Sequence, residues 1–190
     1  MKNMKNYTYI LGPCSIEDED NFLKVAETLD ACMGSKEWYL KGSFDKANRT
    51  SIYSDRGPGL DEGIDIMRTV KEYFPHIKII TDIHEPSQAL PLSDVVDVIQ
   101  IPAFLCRQTD LLVECAKNFN VINIKKGQWL SAESMKHAVK KIKEVIKTTK
   151  GHTKESLEKL SFTNLRKIGN KFGVKDRSKK NLIKEILESQ

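Results

Sequence analysis

Five short stretches of this 190-residue chain carry most of the side chains that could do chemistry together: Gly12-Pro13-Cys14, Lys41–Ser51, Thr81–Glu85, Gln100–Arg107 and Lys125–Gln128. With Arg56 they supply Lys41, Lys46, Arg49, Arg107, Lys125 and Lys126. If the stretches converge, these cations form a ring suited to a substrate bearing phosphate and carboxylate groups. The bland alternative is that each cation flanks a strand and faces water. For one residue the two readings are even, but for the set the bland one weakens, because three lie beside Gly or Ser in tight loops.

Lys46-Ala47-Asn48-Arg49-Thr50-Ser51 joins two cations to an amide and two hydroxyls, a mixture that fits a sugar phosphate. Its plain reading is a polar loop with a helix cap. Arg56-Gly57-Pro58-Gly59 reads first as a turn feeding the next helix. Asp82 and His84, two apart on a strand end, share a face and could orient a hydroxyl or shuttle a proton. A hydrogen-bonded brace for the strand end is an equal reading of His84. Cys14 could bind a divalent metal as a thiolate, but one cysteine does not make a site. His76, His137 and His152 sit in solvent-facing contexts and receive no role.

Something must hold these stretches in place, and the hydrophobic pattern says what. Strand-like runs over Tyr7–Leu11, Trp38–Phe44, Ile77–Ile83, Val95–Ile101 and Val121–Ile124 alternate with helical spacing over Asp20–Met33, Leu60–Phe74 and Thr109–Asn118. A last helix, capped by Ser131, carries Met135, Val139, Ile142 and Ile146. Near-continuous apolar strands belong to parallel sheets covered by helices. The order βαβαβαβ therefore predicts an α/β fold. Periodicity alone leaves an open sheet and a barrel both standing. In either, chemistry gathers where strands end at their C-termini, which is where all five polar stretches fall.

The stretches also carry a resemblance. Lys41-Gly42-Ser43-Phe44-Asp45-Lys46-Ala47-Asn48-Arg49-Thr50-Ser51, Arg56-Gly57-Pro58-Gly59-Leu60, Thr81-Asp82-Ile83-His84-Glu85-Pro86, the run from Asp97 to Leu111, and Asn123-Ile124-Lys125-Lys126-Gly127-Gln128 resemble, in order across residues 9–130, the 3-deoxy-D-manno-octulosonate 8-phosphate synthase family. The related heptulosonate synthases share the Gly-Pro-Cys-Ser start but differ at Lys-Ala-Asn-Arg-Thr-Ser. Gly42 stands where Ala is usual. The resemblance implies a partial TIM (β/α) barrel of about five βα units, ending before the family's barrel would close. It implies condensation of phosphoenolpyruvate with D-arabinose 5-phosphate, releasing phosphate, within lipopolysaccharide (Kdo) biosynthesis.

Carried over position by position, Lys41, Ser43, Lys46, Gln100, Lys125 and the backbone of Ala103 would hold phosphoenolpyruvate. Asn48, Arg49 and Thr50 would hold the sugar phosphate, and Asp82 would lie near its reacting end. Lys46, Lys125 and Asp82 form the expected catalytic set. Cys14 matches the cysteine ligand of the metal-dependent branch, where a divalent metal orients aldehyde and water. It is the one member present of the four ligands the family uses. Completion by a second copy or a complementing second-half polypeptide is the expectation. A non-catalytic anion-binding protein is the alternative function.

Composition fits a soluble globular chain, with 39% hydrophobic and 30% charged residues. No run suggests a membrane span or a signal peptide, so a cytoplasmic location is expected. Cys14, Cys32, Cys106 and Cys115 show no CxxC pairing. Cys32 and Cys115 fall inside helical patterns and are expected to be buried. Charge is uneven. Of 31 Lys/Arg and 26 Asp/Glu in the chain, positions 136–190 hold 16 and 6, leaving 15 and 20 elsewhere. The chain is thus read as a barrel segment over residues 1–150 and a basic helical appendage over 151–190. The appendage reads as three short helices, near 156–160, over 162–172 and from Ser178. It resembles the helix–extended loop–helix modules of SAP, LEM and Rho N-terminal type. Lys175, Arg177, Lys179 and Lys180 would form a phosphate-binding patch able to take nucleic acid. A solvated helical cap is the plain reading.

Overall fold

The computed structural model describes residues 7–149, 158, 162–171, 173–175 and 178–189. Five strands and seven helices follow one another in it: β1 (Tyr9–Ser15), α1 (Glu19–Met33), β2 (Trp38–Ser43), α2 (Leu60–Tyr73), β3 (Lys78–Asp82), α3 (Ala89–Ser93), β4 (Val98–Ile101), α4 (Thr109–Asn118), β5 (Val121–Ile124), α5 (Met135–Thr149), α6 (Phe162–Lys171) and α7 (Lys179–Glu188). The chain divides into two compact units, residues 1–139 and 140–190. The expected helix near 156–160 falls almost wholly outside the described residues.

In the first unit all strands are parallel, and their order across the sheet is their order in the sequence. That decides what periodicity left open. An open doubly wound sheet reverses direction somewhere and places helices on both faces. Successive right-handed crossovers without reversal keep every helix on one face, which is how a (β/α) barrel wall is built. The chain is α/β, with five strands of such a wall.

Burial follows from that layering. Leu40, Ile79, Ile80, Ile99 and Ile101 are at most 1% exposed, and all four residues of β4 are buried. Helix α1 brings Phe22 and Ala26 to the sheet, α2 brings Ile66, Met67 and Val70, and α4 brings Leu111, Leu112 and Cys115. Helix α1 starts where the Asp18 carboxylate accepts the Asn21 N–H at 2.7 Å. Ser131 Oγ accepts the Ser134 N–H just ahead of α5.

Three expectations need correcting. Strand β1 runs to Ser15 instead of closing at Gly12-Pro13, because pairing with β2 resumes beyond a bulge between Leu11 and Cys14. The β3–β4 connection, for which the hydrophobic pattern names no helix, holds a 3₁₀ turn at Pro86–Gln88 and α3. Cys32 is exposed, whereas Cys115 is buried as expected. Position 32 falls on the part of α1 turned away from the Phe22, Ala26 and Met33 stripe.

The second unit holds a helical hairpin with its own core. Leu165 of α6 packs with Leu182, Ile183 and Ile186 of α7, and Phe162, Ile168, Val174 and Leu187 border them. Helix α6 ends in a Schellman turn: Gly173 adopts φ 74°, Val174 N–H donates to Gly169 O at 2.8 Å, and Gly173 N–H donates to Asn170 O at 3.3 Å.

Candidate functional site

A cleft of about 610 Å³ opens at the C-terminal ends of the strands. Its walls include Cys14 from β1, Lys41 from β2, Lys46 and Asn48 from the β2–α2 loop, and Asp82 from β3. Gln100 from β4, Ala103 beyond it, and Lys125 after β5 complete the set. All five strand ends therefore meet in one place. Eight of the eleven residues singled out from the sequence line the cleft, and Ser43, Arg49 and Thr50 do not.

The bulge in β1 makes the first of these positions. Gly12 passes so close to β2 that a Cβ there would lie 1.9 Å from the Lys41 carbonyl oxygen. The chain then turns through Cys14, the one non-glycine residue with positive φ (74°) among the described residues. That turn carries the thiol into the cleft, where Lys46 Nζ donates to Cys14 Sγ at 3.1 Å. The Lys46 hydrogen bond holds the thiol below its ordinary pKa, helped by the nearby Lys41 charge and opposed by burial and by Asp82.

The β2–α2 loop is pinned at several points. Gly59 N–H donates to Phe44 O at 2.9 Å, and Lys46 N–H donates to Arg56 O at 2.7 Å. Arg56 grips Asp45 with two bonds of 2.7 and 2.5 Å, and this pairing keeps the guanidinium pKa above its usual value. The sequence reading of Arg56 as a turn residue is thus correct, although it also borders the cleft. Ser43 is sealed from solvent and donates to Asp45 O at 2.8 Å. Arg49 Nε is drawn to Asp55 O at 2.9 Å, and Thr50 stays exposed on the same loop.

Asp82 and His84 do share a face, with Nε2 3.5 Å from Oδ2 and both side chains mostly buried. Burial pushes the Asp82 carboxyl up, but the neighbouring His84 and Ser43 side chains and the charge of Lys41 leave it below its ordinary pKa. Asp82 Oδ1, His84 Nδ1 and Thr81 Oγ1 are buried without a hydrogen-bond partner among the described residues. His84 also meets Phe44 edge to face at 5.8 Å. Beside this pair, Gln100 Oε1 accepts from Asn123 Nδ2 at 3.0 Å.

Lys126 leaves the ring of cations by capping its own loop, donating to Gly127 O and Leu130 O at 3.0 Å each. Arg107 does not line the cleft either. Lys41, Lys46 and Lys125 remain, and no described carboxylate pairs with any of them. With Arg56 they outnumber the carboxylates of the cleft, Asp45, Asp82 and Glu85, by four to three, an excess that favours an anion. The sequence did not single out Asp45, Glu85, Gln88 or Phe104 as site residues. Asp45 and Gln88 emerge only through partners: Gln88 Oε1 accepts the His84 and Glu85 N–H groups at 2.9 and 3.1 Å. Phe104 lies against Trp129, ring centres 5.3 Å apart.

Among the described residues no three His, Cys, Asp or Glu side chains cluster in a way that could hold a metal ion. The Cys14 sulfur faces an ammonium instead of further ligands. Among the described residues Cys14 thus stands without companion ligands for a divalent cation. No helix among the described residues is long and apolar enough to cross a membrane.

Comparison with known proteins places this arrangement. The family model described as "DAHP synthetase I family" matches residues 3–164. A 2-dehydro-3-deoxyphosphooctonate aldolase of Campylobacter jejuni strain RM1221 is 57% identical over 141 residues, covering 73% of this chain and 52% of the relative. Those of Helicobacter hepaticus and Wolinella succinogenes are 51% and 49% identical over 142 and 144 residues, with 51% and 53% of the relatives covered. These cover 74% and 75% of this chain. The chain spans about half the length of the curated relatives it matches. By its family match, its relatives and its strand order, the chain belongs to the DAHP synthetase I family.

Proposed function

We propose that the cleft is the phosphoenolpyruvate half of a 3-deoxy-8-phosphooctulonate synthase site, which joins phosphoenolpyruvate to D-arabinose 5-phosphate. The observation that supports this most is the meeting of three lysines without carboxylate partners, Gln100 and the Ala103 backbone in one cleft. A small molecule with a phosphate and a carboxylate needs such a set: Lys41, Lys46 and Lys125 neutralise its charges, while the Gln100 amide and Ala103 N–H fix its plane. Asn48, which lines the cleft, then faces the sugar phosphate, whereas Arg49 and Thr50 would have to turn inward to reach it.

In the proposed reaction C3 of phosphoenolpyruvate bonds to C1 of the aldose, and the aldehyde oxygen takes a proton. Water adds at C2, and phosphate leaves as its C–O bond breaks. The Asp82–His84 pair has groups in place to hand over and take up those protons. These steps are assigned to side chains of this chain alone, and none is routed through a metal.

The strand edges bear on partners. Val121 on β5 is 50% exposed and Ile10 on β1 is 44% exposed. No described strand pairs with the outer edge of β1 or β5. Parallel sheets are normally covered structures, and apolar edges invite pairing. A second copy or a polypeptide supplying further βα units would cover these edges and add residues to the cleft.

Phosphate release should be measured with both substrates and with each alone. Release that needs both, and falls about a hundredfold or more in Lys125→Ala, supports the proposal. Release from phosphoenolpyruvate alone, or equal release by Lys125→Ala, refutes it. Binding of phosphoenolpyruvate with no release by any assembly leaves the cleft as an anion site, the alternative function.

A further inference from the structure

We infer that the helical unit of residues 140–190 docks on the phosphate backbone of nucleic acid through Lys175, Lys179 and Lys180. The unit carries 15 Lys/Arg against 6 Asp/Glu, while residues 1–139 carry 16 against 20. Positive charge is thus concentrated in a segment that folds around its own core.

The hairpin presents three lysines in a fixed place. Gly169 lets α6 and α7 approach closely, since a Cβ there would lie 2.7 Å from Leu182 Cδ1. The Schellman turn at Gly173 ends α6 just before Lys175. Lys175 leaves that turn, and Lys179 and Lys180 open α7; all three are exposed. Lys179 Nζ donates to a backbone carbonyl, that of Glu158, at 2.9 Å. Among the described residues no carboxylate pairs with any of the three, whereas Lys140 and Lys184 have Glu144 and Glu188. Asp176 and Arg177, between them in sequence, cancel in formal charge.

The placement of Lys179 and Lys180 works against the isolated fold. A helix N-terminus carries partial positive charge and favours Asp or Glu in its first turn. Helix α7 has no acidic residue there and two lysines in their place. A bound phosphate relieves that repulsion, so a polyanion stabilises the very turn that binds it.

A nucleic acid fits better than a lipid surface. Membrane-docking helices keep large apolar side chains exposed for insertion. In this hairpin they are spent on the core, and none described in α6, the turn or α7 is exposed. Charge alone remains, which is the sequence-independent mode of backbone binding.

Fluorescence anisotropy of a labelled mixed-sequence DNA duplex, titrated with the full chain over a salt series, tests this. Three neutralised phosphates give a slope of log affinity on log salt near −2.7, or a loss of about fortyfold between 50 and 200 mM. Lys175→Glu/Lys179→Glu/Lys180→Glu should weaken low-salt binding by at least about tenfold and flatten the slope. Lys140→Glu/Lys143→Glu/Lys147→Glu carries the same charge change on α5 and should leave most of the binding. Circular dichroism checks that both variants keep their helices. Equal loss in the two triple variants, no binding at low salt, or tighter binding to phosphatidylserine vesicles than to the duplex would overturn the inference. Phosphate release is read separately, so failure here is distinct from failure of the proposed synthase chemistry.

Discussion

Replacing Gly12 with alanine should do more damage than any other glycine-to-alanine change in the sheet unit, and the structure gives the size. The new Cβ would lie 1.9 Å from the Lys41 carbonyl oxygen and 2.9 Å from the Lys41 nitrogen. Both belong to a backbone held in the sheet. Restoring an ordinary C···O contact of about 3.3 Å requires the strands to part by about 1.4 Å. Ladder hydrogen bonds do not survive that stretch. Losing about two of them at roughly 1 kcal/mol each, with strain at φ 153°, amounts to about 3–5 kcal/mol. Gly63→Ala meets the Cβ of Phe44 at 2.4 Å and should cost about 2–3 kcal/mol. Gly42→Ala meets the Phe22 ring at 2.6 Å and Ile16 Cγ1 at 2.8 Å, side chains able to shift, and should cost about 1–2 kcal/mol. Urea denaturation followed by fluorescence of Trp38, buried on β2, measures all three. Alkylation of Cys14 gives a second readout, because the same separation carries Cys14 away from Lys46. A Gly12→Ala protein within about 0.5 kcal/mol of wild type, or a reversed order of the three, would refute the close-approach argument.

Two further outcomes concern titration. Cys14 should react with iodoacetamide with its midpoint below that of an ordinary thiol, and Lys46→Met should move the midpoint up; an unchanged profile would remove the hydrogen bond as its cause. Asp82 has a folded pKa below its unfolded value, so its stabilisation is complete above about pH 4 and lost as pH falls through the folded value. Wild type should therefore lose stability more steeply than Asp82→Asn on acidification, and parallel urea midpoints across that range would count against the assignment.

Long apolar segments were legible because their local pattern and their final environment agree. The spans of α4 and β5 coincide with the hydrophobic runs that foretold them. Disagreement arises where long-range pairing overrides a local signal. Gly12-Pro13 reads as a strand terminator, yet β2 recruits the residues beyond it. The hydrophobic pattern names no helix between β3 and β4, yet Pro86 opens a 3₁₀ turn and Pro91 sits in the first turn of α3, where a missing N–H costs nothing. Strand β4 starts at Val98, later than its apolar run, because Val95 and Val96 give their N–H groups to Leu92 O at the end of α3. The Asp97 carboxylate then accepts the Ile79 N–H at 2.7 Å and pairs with Lys71 at 2.5 Å.

The site shows the same division. Residue type was enough to nominate Lys41, Lys46 and Lys125, because chemistry on an anion requires cations at strand ends wherever those ends meet. Residue type was not enough to separate them from Arg49, Arg107 and Lys126, which differ in their partners and not in their charge. Lys126 finds two carbonyls and Arg49 finds one. Lys46 is held differently: its N–H is fixed by Arg56 O, while its ammonium reaches the thiol of another strand. Each of those partners depends on a separate backbone device, the Asp45–Arg56 clasp for one and the β1 bulge for the other. An Asp45→Ala change would free the loop, and Arg56 with it, without removing a cation, whereas Lys46→Met removes the cation and leaves the loop in place. The cleft thus owes its charge to composition, but the position of that charge to contacts between residues far apart in sequence.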